Sequence, residues 1–150
     1  MQVSITRTNA DSQVFKSLIE LLDLELYERY GLAQNDYVEY NNISNNDNVV
    51  IASVNGKIAG CGLIREFAND TIEIKRMFVV KSFRGLGISK NVLAELEKWA
   101  KECGYSKSIL ETGDKQSEAI SLYKTNGYKD TEKFGPYSEM KHSICLLKEL

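Results

Sequence analysis

One histidine, one proline and three cysteines occur among the 150 residues, and these shortages narrow the field before any motif is read. With His142 as the sole imidazole, a Cys/His zinc site lacks ligands, and no metal is expected. Cys61, Cys103 and Cys145 are odd in number and widely spaced, which suits reduced thiols rather than a disulfide framework. Excess positive charge is also missing: 19 Lys+Arg stand against 21 Asp+Glu. Non-specific binders of nucleic acid or of membrane surfaces need a basic face, so neither partner is expected. No apolar run approaches the roughly 20 residues that span a bilayer. The opening MQVSITRTNADSQ lacks a basic-then-apolar leader pattern, so the expected compartment is the cytoplasm. No repeat and no Pro- or Ser-rich linker divides the chain, and residues 1–150 are expected to form one domain. With 43% hydrophobic content there is enough apolar surface to offset chain entropy, which excludes disorder.

What is present is an ordered series of periodic segments. Val3-Ser4-Ile5-Thr6 alternates apolar and polar residues and predicts a strand. Asp11 or Ser12 is placed to cap a helix carrying Phe15, Leu18, Ile19, Leu22 and Leu26 on one stripe. A weaker helical turn is expected over residues 33–40, and the Asn-rich run 41–48 reads as a loop. Strands over 49–54 and 57–66 flank Asn55-Gly56, whose tolerance of positive φ marks a type I′ hairpin. A further strand is expected over 71–80. Ile88, Val92, Leu96, Ala100 and Cys103 then recur at helical spacing, with Gly104 closing the helix. A short strand (108–111), a helix (117–126) stopped by Gly127, and apolar segments around Tyr128 and 144–147 complete the series. The order βααβββαβαβ, with room for one more strand, predicts a mixed sheet flanked by helices, of the α/β or α+β class.

The most informative stretch is 77–90, MFVVKSFRGLGISK. A strand runs into a basic, glycine-rich turn that opens directly into an amphipathic helix. Helix N-termini present unpaired N–H groups and partial positive charge, and so bind phosphate oxygens. Gly85 and Gly87 let the backbone approach such a ligand, and Arg84 and Lys90 add charge-assisted contacts. The G-x-x-x-x-G-K-[ST] pattern is absent, and G-x-G-x-x-G fails because Lys90 stands at its third glycine. A turn that merely joins strand to helix would carry the same glycines.

Arg84-x-x-Gly87-x-Ser89 resembles the Q/R-x-x-G-x-G/A pyrophosphate signature of the GCN5-related N-acetyltransferase (GNAT) family. Downstream, Gln116-x-x-Ala119-x-x-Leu122-Tyr123-x-x-x-Gly127-Tyr128 is similar to that family's N-x-x-A-x-x-L-Y-x-x-x-G-F segment. Two departures stand out: Ser89 replaces the usual Gly/Ala, and Gln116, in place of Asn, extends the amide's reach by a methylene.

The resemblance implies a mostly antiparallel sheet of six to seven strands, with acetyl-CoA bound in a splay between the parallel strands 71–80 and 108–111. It implies that backbone at Phe78 and Val79 meets the pantetheine arm. It further implies that Arg84, Gly85, Leu86, Gly87, Ile88, Ser89 and Lys90 hold the pyrophosphate and that Gln116 touches the cofactor. N–H groups at the strand's end would stabilise the developing oxyanion. A primary amine of a small molecule or peptide would attack the thioester directly, without a metal. An aliphatic ammonium, with pKa near 10, must first lose its proton, and a carboxylate is the natural acceptor. Glu73 is the first candidate and Glu111 the second; otherwise Glu73 is a solvated strand residue pairing with Lys75 or with a neighbouring strand. Tyr123 matches the family's proton donor to the departing thiolate, or else is a core aromatic. Tyr27, Tyr30, Tyr37 and Tyr40, near Glu25, Glu28 and Glu39, fall where relatives build the acceptor pocket, and none is assigned. The segment 134–137 is either a pocket border or a turn, and His142 reads as a surface residue. A homodimer is one assembly the resemblance admits. The competing function is a non-catalytic acyl-CoA-binding sensor, which would need neither Glu73 nor Tyr123.

Overall fold

The computed structural model describes residues 1–44 and 47–150, and for residues 36 and 38–41 the backbone. The Asn-rich run therefore lies partly outside the described residues, as do the side chains of Glu39 and Tyr40. The first half comprises β1 (Val3–Asn9), α1 (Gln13–Tyr30), a 3₁₀ segment (Gly31–Asn41), β2 (Asn48–Val54), β3 (Lys57–Ala68) and β4 (Thr71–Val79). A 3₁₀ turn (Lys81–Phe83) follows, then α2 (Ile88–Glu102), β5 (Lys107–Gly113) and α3 (Ser117–Thr125). The chain ends with β6 (Lys129–Asp130), another 3₁₀ turn (Gly135–Glu139) and β7 (Ser143–Glu149).

Local chemistry explains the boundaries. Ser12 caps α1, its side chain accepting from Phe15 N–H at 3.2 Å. Asn55 (φ 50°) and Gly56 (φ 81°) make the β2–β3 hairpin turn with two positive φ angles, as a type I′ turn requires. The segment expected as a weak helical turn is a 3₁₀ stretch instead, extending from Gly31 to Asn41. Its polar composition offers no continuous apolar stripe to bury. β1 and β5 outrun their expected limits because cross-strand pairing to β2 and β7 continues past the apolar residues.

The sheet order is β1-β2-β3-β4-β5-β7-β6, with β4 and β5 the only parallel neighbours among the described residues. One face packs against α2 through Val92, Leu93, Leu96 and Ala100, and Tyr123 of α3 joins that cluster. The other face packs against α1 through Phe15, Leu18, Ile19 and Leu22.

Two irregularities shape the middle of the sheet. Leu63 of β3 pairs with Lys75, but Cys61 pairs with Phe78, so β4 carries one extra residue. Arg76 takes that bulge in a left-handed conformation, φ 59°. The extra residue reverses the alternation of side chains. Ile72 and Ile74 face α2, whereas Phe78 faces α1. The second irregularity is that β4–β5 pairing runs from Thr71↔Lys107 to Ile74↔Leu110 and then stops, although both strands continue. The parallel pair splays apart there, leaving the distal edge of β4 without a strand partner on that side.

Candidate active site

A cleft of about 540 Å³ opens at the splay, walled by α1, the distal half of β4, the first turn of α2, the end of β5 and α3. At one end lies the glycine turn. Gly85 (φ 81°) and Gly87 (φ 79°) are both left-handed, a conformation costing other residues roughly 1–2 kcal/mol. Neither has any atom within 4 Å of where a Cβ would stand, so the backbone faces open space. Gly87 caps α2, whose first N–H groups lack intrahelical acceptors. Arg84 is pinned rather than free: Nε donates to the Val79 carbonyl at 2.9 Å and Nη2 meets Glu25 at 2.7 Å. Opposite, Gln116 caps α3 and accepts from Gly113 N–H at 3.0 Å and Thr112 Oγ1 at 3.2 Å.

The other end is lined by ionisable and aromatic groups. Glu111 accepts from Ser143 Oγ at 3.0 Å, and Ser143 Oγ is hydrogen-bonded to Tyr37 Oη at 3.1 Å. Burial pushes the Glu111 carboxyl up to about 7, against the lowering pull of Ser143 and Lys75. Tyr123 is buried in the cleft wall, edge-on to Tyr128 with ring centroids 5.7 Å apart. Burial, and then the nearby Glu111, raise its phenol above the ordinary value of 10. Its hydroxyl has no protein hydrogen-bond partner among the described residues. Lys75 donates to Tyr137 Oη at 3.0 Å and meets Glu73 at 3.4 Å; burial lowers its pKa.

Of the residues singled out in the sequence, Phe78, Val79, Arg84, Gly85, Gly87, Ile88, Ser89, Lys90, Gln116 and Tyr123 all line the cleft. Leu86 is exposed and lies outside the lining. Glu73 also stands outside it, turned to Lys75, whereas Glu111 lines it. Tyr30 and Tyr37 reach the cleft; Tyr27 is exposed and hydrogen-bonded to Asn35, and Glu28 is exposed. Glu25 lines the cleft but is tied to Arg84. His142, read as a surface residue, lines the cleft, with Nδ1 3.0 Å from Asp114 and its ring against Tyr30. The segment around Tyr137 is a 3₁₀ turn that buries the ring behind Lys75. Ser143, Lys75 and Arg76 carry no local motif. Ser143 reaches Glu111 only because β7 pairs antiparallel with β5, Gly113↔Ser143 and Glu111↔Cys145.

A largely antiparallel sheet that splays at a parallel pair, with a glycine turn feeding a helix N-terminus into the gap, is the architecture of acyl-CoA N-acyltransferases. The acetyltransferase (GNAT) family model matches residues 15–128, and the chain belongs to that family. It is 34% identical to an IAA acetyltransferase of Azospirillum brasilense, with 99% of this chain and 98% of that protein covered. A Klebsiella pneumoniae structure assigned to the acyl-CoA N-acyltransferases superposes with a TM-score of 0.83 at 29% identity, covering 99% and 98% of the two chains. A GNAT acetyltransferase from Elizabethkingia anophelis, solved with acetyl-CoA bound, shares the fold at a TM-score of 0.71 and 22% identity, covering 99% and 98%.

Proposed function

We propose that the protein is an acetyl-CoA-dependent N-acetyltransferase that acts on a primary amine of a small molecule or peptide by direct attack. The observation that carries this is one continuous cleft joining an anion-receptive turn, an unpaired strand edge, a half-buried carboxyl (Glu111) and a buried phenol (Tyr123). Acetyl-CoA supplies an activated thioester. Gly85 to Lys90 and the α2 N-terminus receive the pyrophosphate. The unpaired edge of β4 at Phe78 and Val79 receives the pantetheine arm, as an added strand would be received. Gln116 borders it from α3.

Glu111 then takes a proton from the acceptor's ammonium, since it lines the cleft and its raised pKa makes it a base matched to neutral pH. Glu73 lies outside the cleft lining, against Lys75, and is the weaker candidate. The neutral amine forms the C–N bond, the C–S bond breaks, the departing sulfur receives the Tyr123 proton, and the second proton lost by the nitrogen as it becomes an amide restores the phenol. That phenol stays protonated at neutral pH because burial holds its pKa high.

Acetyl-CoA should raise the Tm through selective binding to the native state. In Gly87→Glu, which adds a side chain and a negative charge at the turn, that rise should vanish. An undiminished shift in the variant would place the cofactor elsewhere. Stabilisation by acetyl-CoA without thiol release from any amine would favour the sensor reading.

A further inference from the structure

We propose that the acceptor end of the cleft is built for an amine that also carries a carboxylate, held by Lys75 and Arg76 while its amino group lies against Glu111. This rests on the acetyl-transfer reading above and adds the substrate class to it. The bulge in β4 is what makes the arrangement. Adjacent strand residues normally point to opposite faces. Here Arg76, at φ 59°, follows Lys75 onto the side of the sheet that carries α1, and both line the cleft. A non-glycine residue held in this region is strained, which directs attention to what the strain positions.

Both cations are buried, with side-chain exposures of 7% for Lys75 and 5% for Arg76. Buried charges ordinarily have close, complete partners, because desolvation is expensive. These do not. Lys75 has Tyr137 Oη at 3.0 Å but its carboxylate partner Glu73 only at 3.4 Å. Arg76 reaches Asp23 through Nη2 alone, at 2.6 Å, and Asp23 is half-exposed to solvent. Arg76 Nε is buried with no hydrogen-bond partner, the only side-chain nitrogen or oxygen so placed among the described residues.

The acidic groups of the cleft offset this charge only in part. Glu25 is engaged by Arg84, Glu118 faces Arg29 at 3.5 Å, and Glu111 is the group that receives the amine's proton. An unsatisfied guanidinium edge on the residue that follows a buried ammonium, both lining one cleft, matches a carboxylate, whose two oxygens accept charge-assisted bonds. Lys75 and Glu111 lie within electrostatic reach of each other, so one small molecule can present its amine to the carboxyl and its carboxylate to the cations.

The test measures thiol release from acetyl-CoA by the wild-type protein. The acceptors are α-amino acids, their methyl esters and their decarboxylated amines, compared as matched sets. The acids should exceed both counterparts in kcat/KM by roughly 10- to 100-fold, chiefly through KM, the scale of one or two charge-assisted contacts. Arg76→Gly keeps a residue that tolerates the bulge's φ while removing the guanidinium, and the acid-to-ester ratio should fall toward unity. The wild-type ratio does not depend on that variant folding. Equal or reversed ratios in the wild type would overturn the assignment and leave acetyl transfer standing. If acetyl-CoA neither stabilises the protein nor loses its acetyl group, the proposed function fails first, and the acceptor class with it.

Discussion

Tyr123 and Glu111 are the two side chains proposed to move protons. The Tyr123 ring packs with Tyr128 inside the core, and its hydroxyl alone is without a protein partner among the described residues. Tyr123→Phe should therefore change Tm little while lowering kcat by roughly 10- to 1000-fold, with acetyl-CoA affinity preserved. Full activity in this variant would return the residue to a packing role. For Glu111, kcat/KM should climb with pH through about 7 as the carboxyl ionises. Glu111→Gln should remove that limb and recover partly at high pH, where free amine becomes available. Glu73→Gln should leave the limb in place, because Glu73 sits against Lys75 outside the cleft. Should Glu73→Gln abolish the limb and Glu111→Gln spare it, the assignment of the base is reversed.

Strand β4 sets where those side chains can act. Its bulge turns Phe78 toward α1 and Val79 toward α2, and its parting from β5 after Ile74 makes the cleft. The neighbouring β3 holds this distal half closely. A Cβ on Gly60 would lie 2.7 Å from the Phe78 carbonyl oxygen, a backbone atom that cannot rotate aside. Gly60→Ala must push β4 away. Overpacking of this kind costs about 1–3 kcal/mol, which in a domain of this size lowers Tm by roughly 3–10 °C. Because the displaced segment is the edge proposed to receive pantetheine, the stabilisation conferred by acetyl-CoA should shrink as well. A variant with reduced Tm but an unchanged acetyl-CoA shift would show that the β4 edge at Phe78 takes no part in binding.

Stability of the entire chain should carry the signature of one half-buried acid, Glu111. The folded protein holds the Glu111 proton up to about 7, whereas an unperturbed side chain releases it at 4.5. A raised folded-state pKa means a contribution that is complete below the unfolded value and is lost as pH rises through the folded one. The wild type should therefore lose stability relative to Glu111→Gln between about pH 4.5 and 7, and the gap should stay constant above that. Thermal melts of both proteins across this range test it. Parallel curves would mean that the carboxyl is solvated in the folded protein.

Apart from the 3₁₀ stretch at Gly31–Asn41, the chain order of elements, with the hairpin at Asn55-Gly56, the Ser12 cap and the glycine turn before α2, was legible in the sequence, because each depends on residues within a few positions of one another. Apolar spacing reports the local period of the backbone, and positive φ is a demand that Asn or Gly meets alone. The turn and the Gln116–Tyr128 segment likewise keep their chemistry on contiguous residues. Choosing between Glu73 and Glu111 was beyond such reasoning. Both carboxylates sit on neighbouring strands, and what separates them is the bulge at Arg76, the splay beyond Ile74 and the antiparallel return of β7, which brings Ser143 to Glu111. The pairing of Lys75 with Tyr137, 62 positions away, and of Arg76 with Asp23, 53 positions away, is equally a product of packing. Short-range pattern sets which elements form; long-range register and burial decide which of their polar groups share a cleft, because desolvation acts only once the sheet and helices have closed around them.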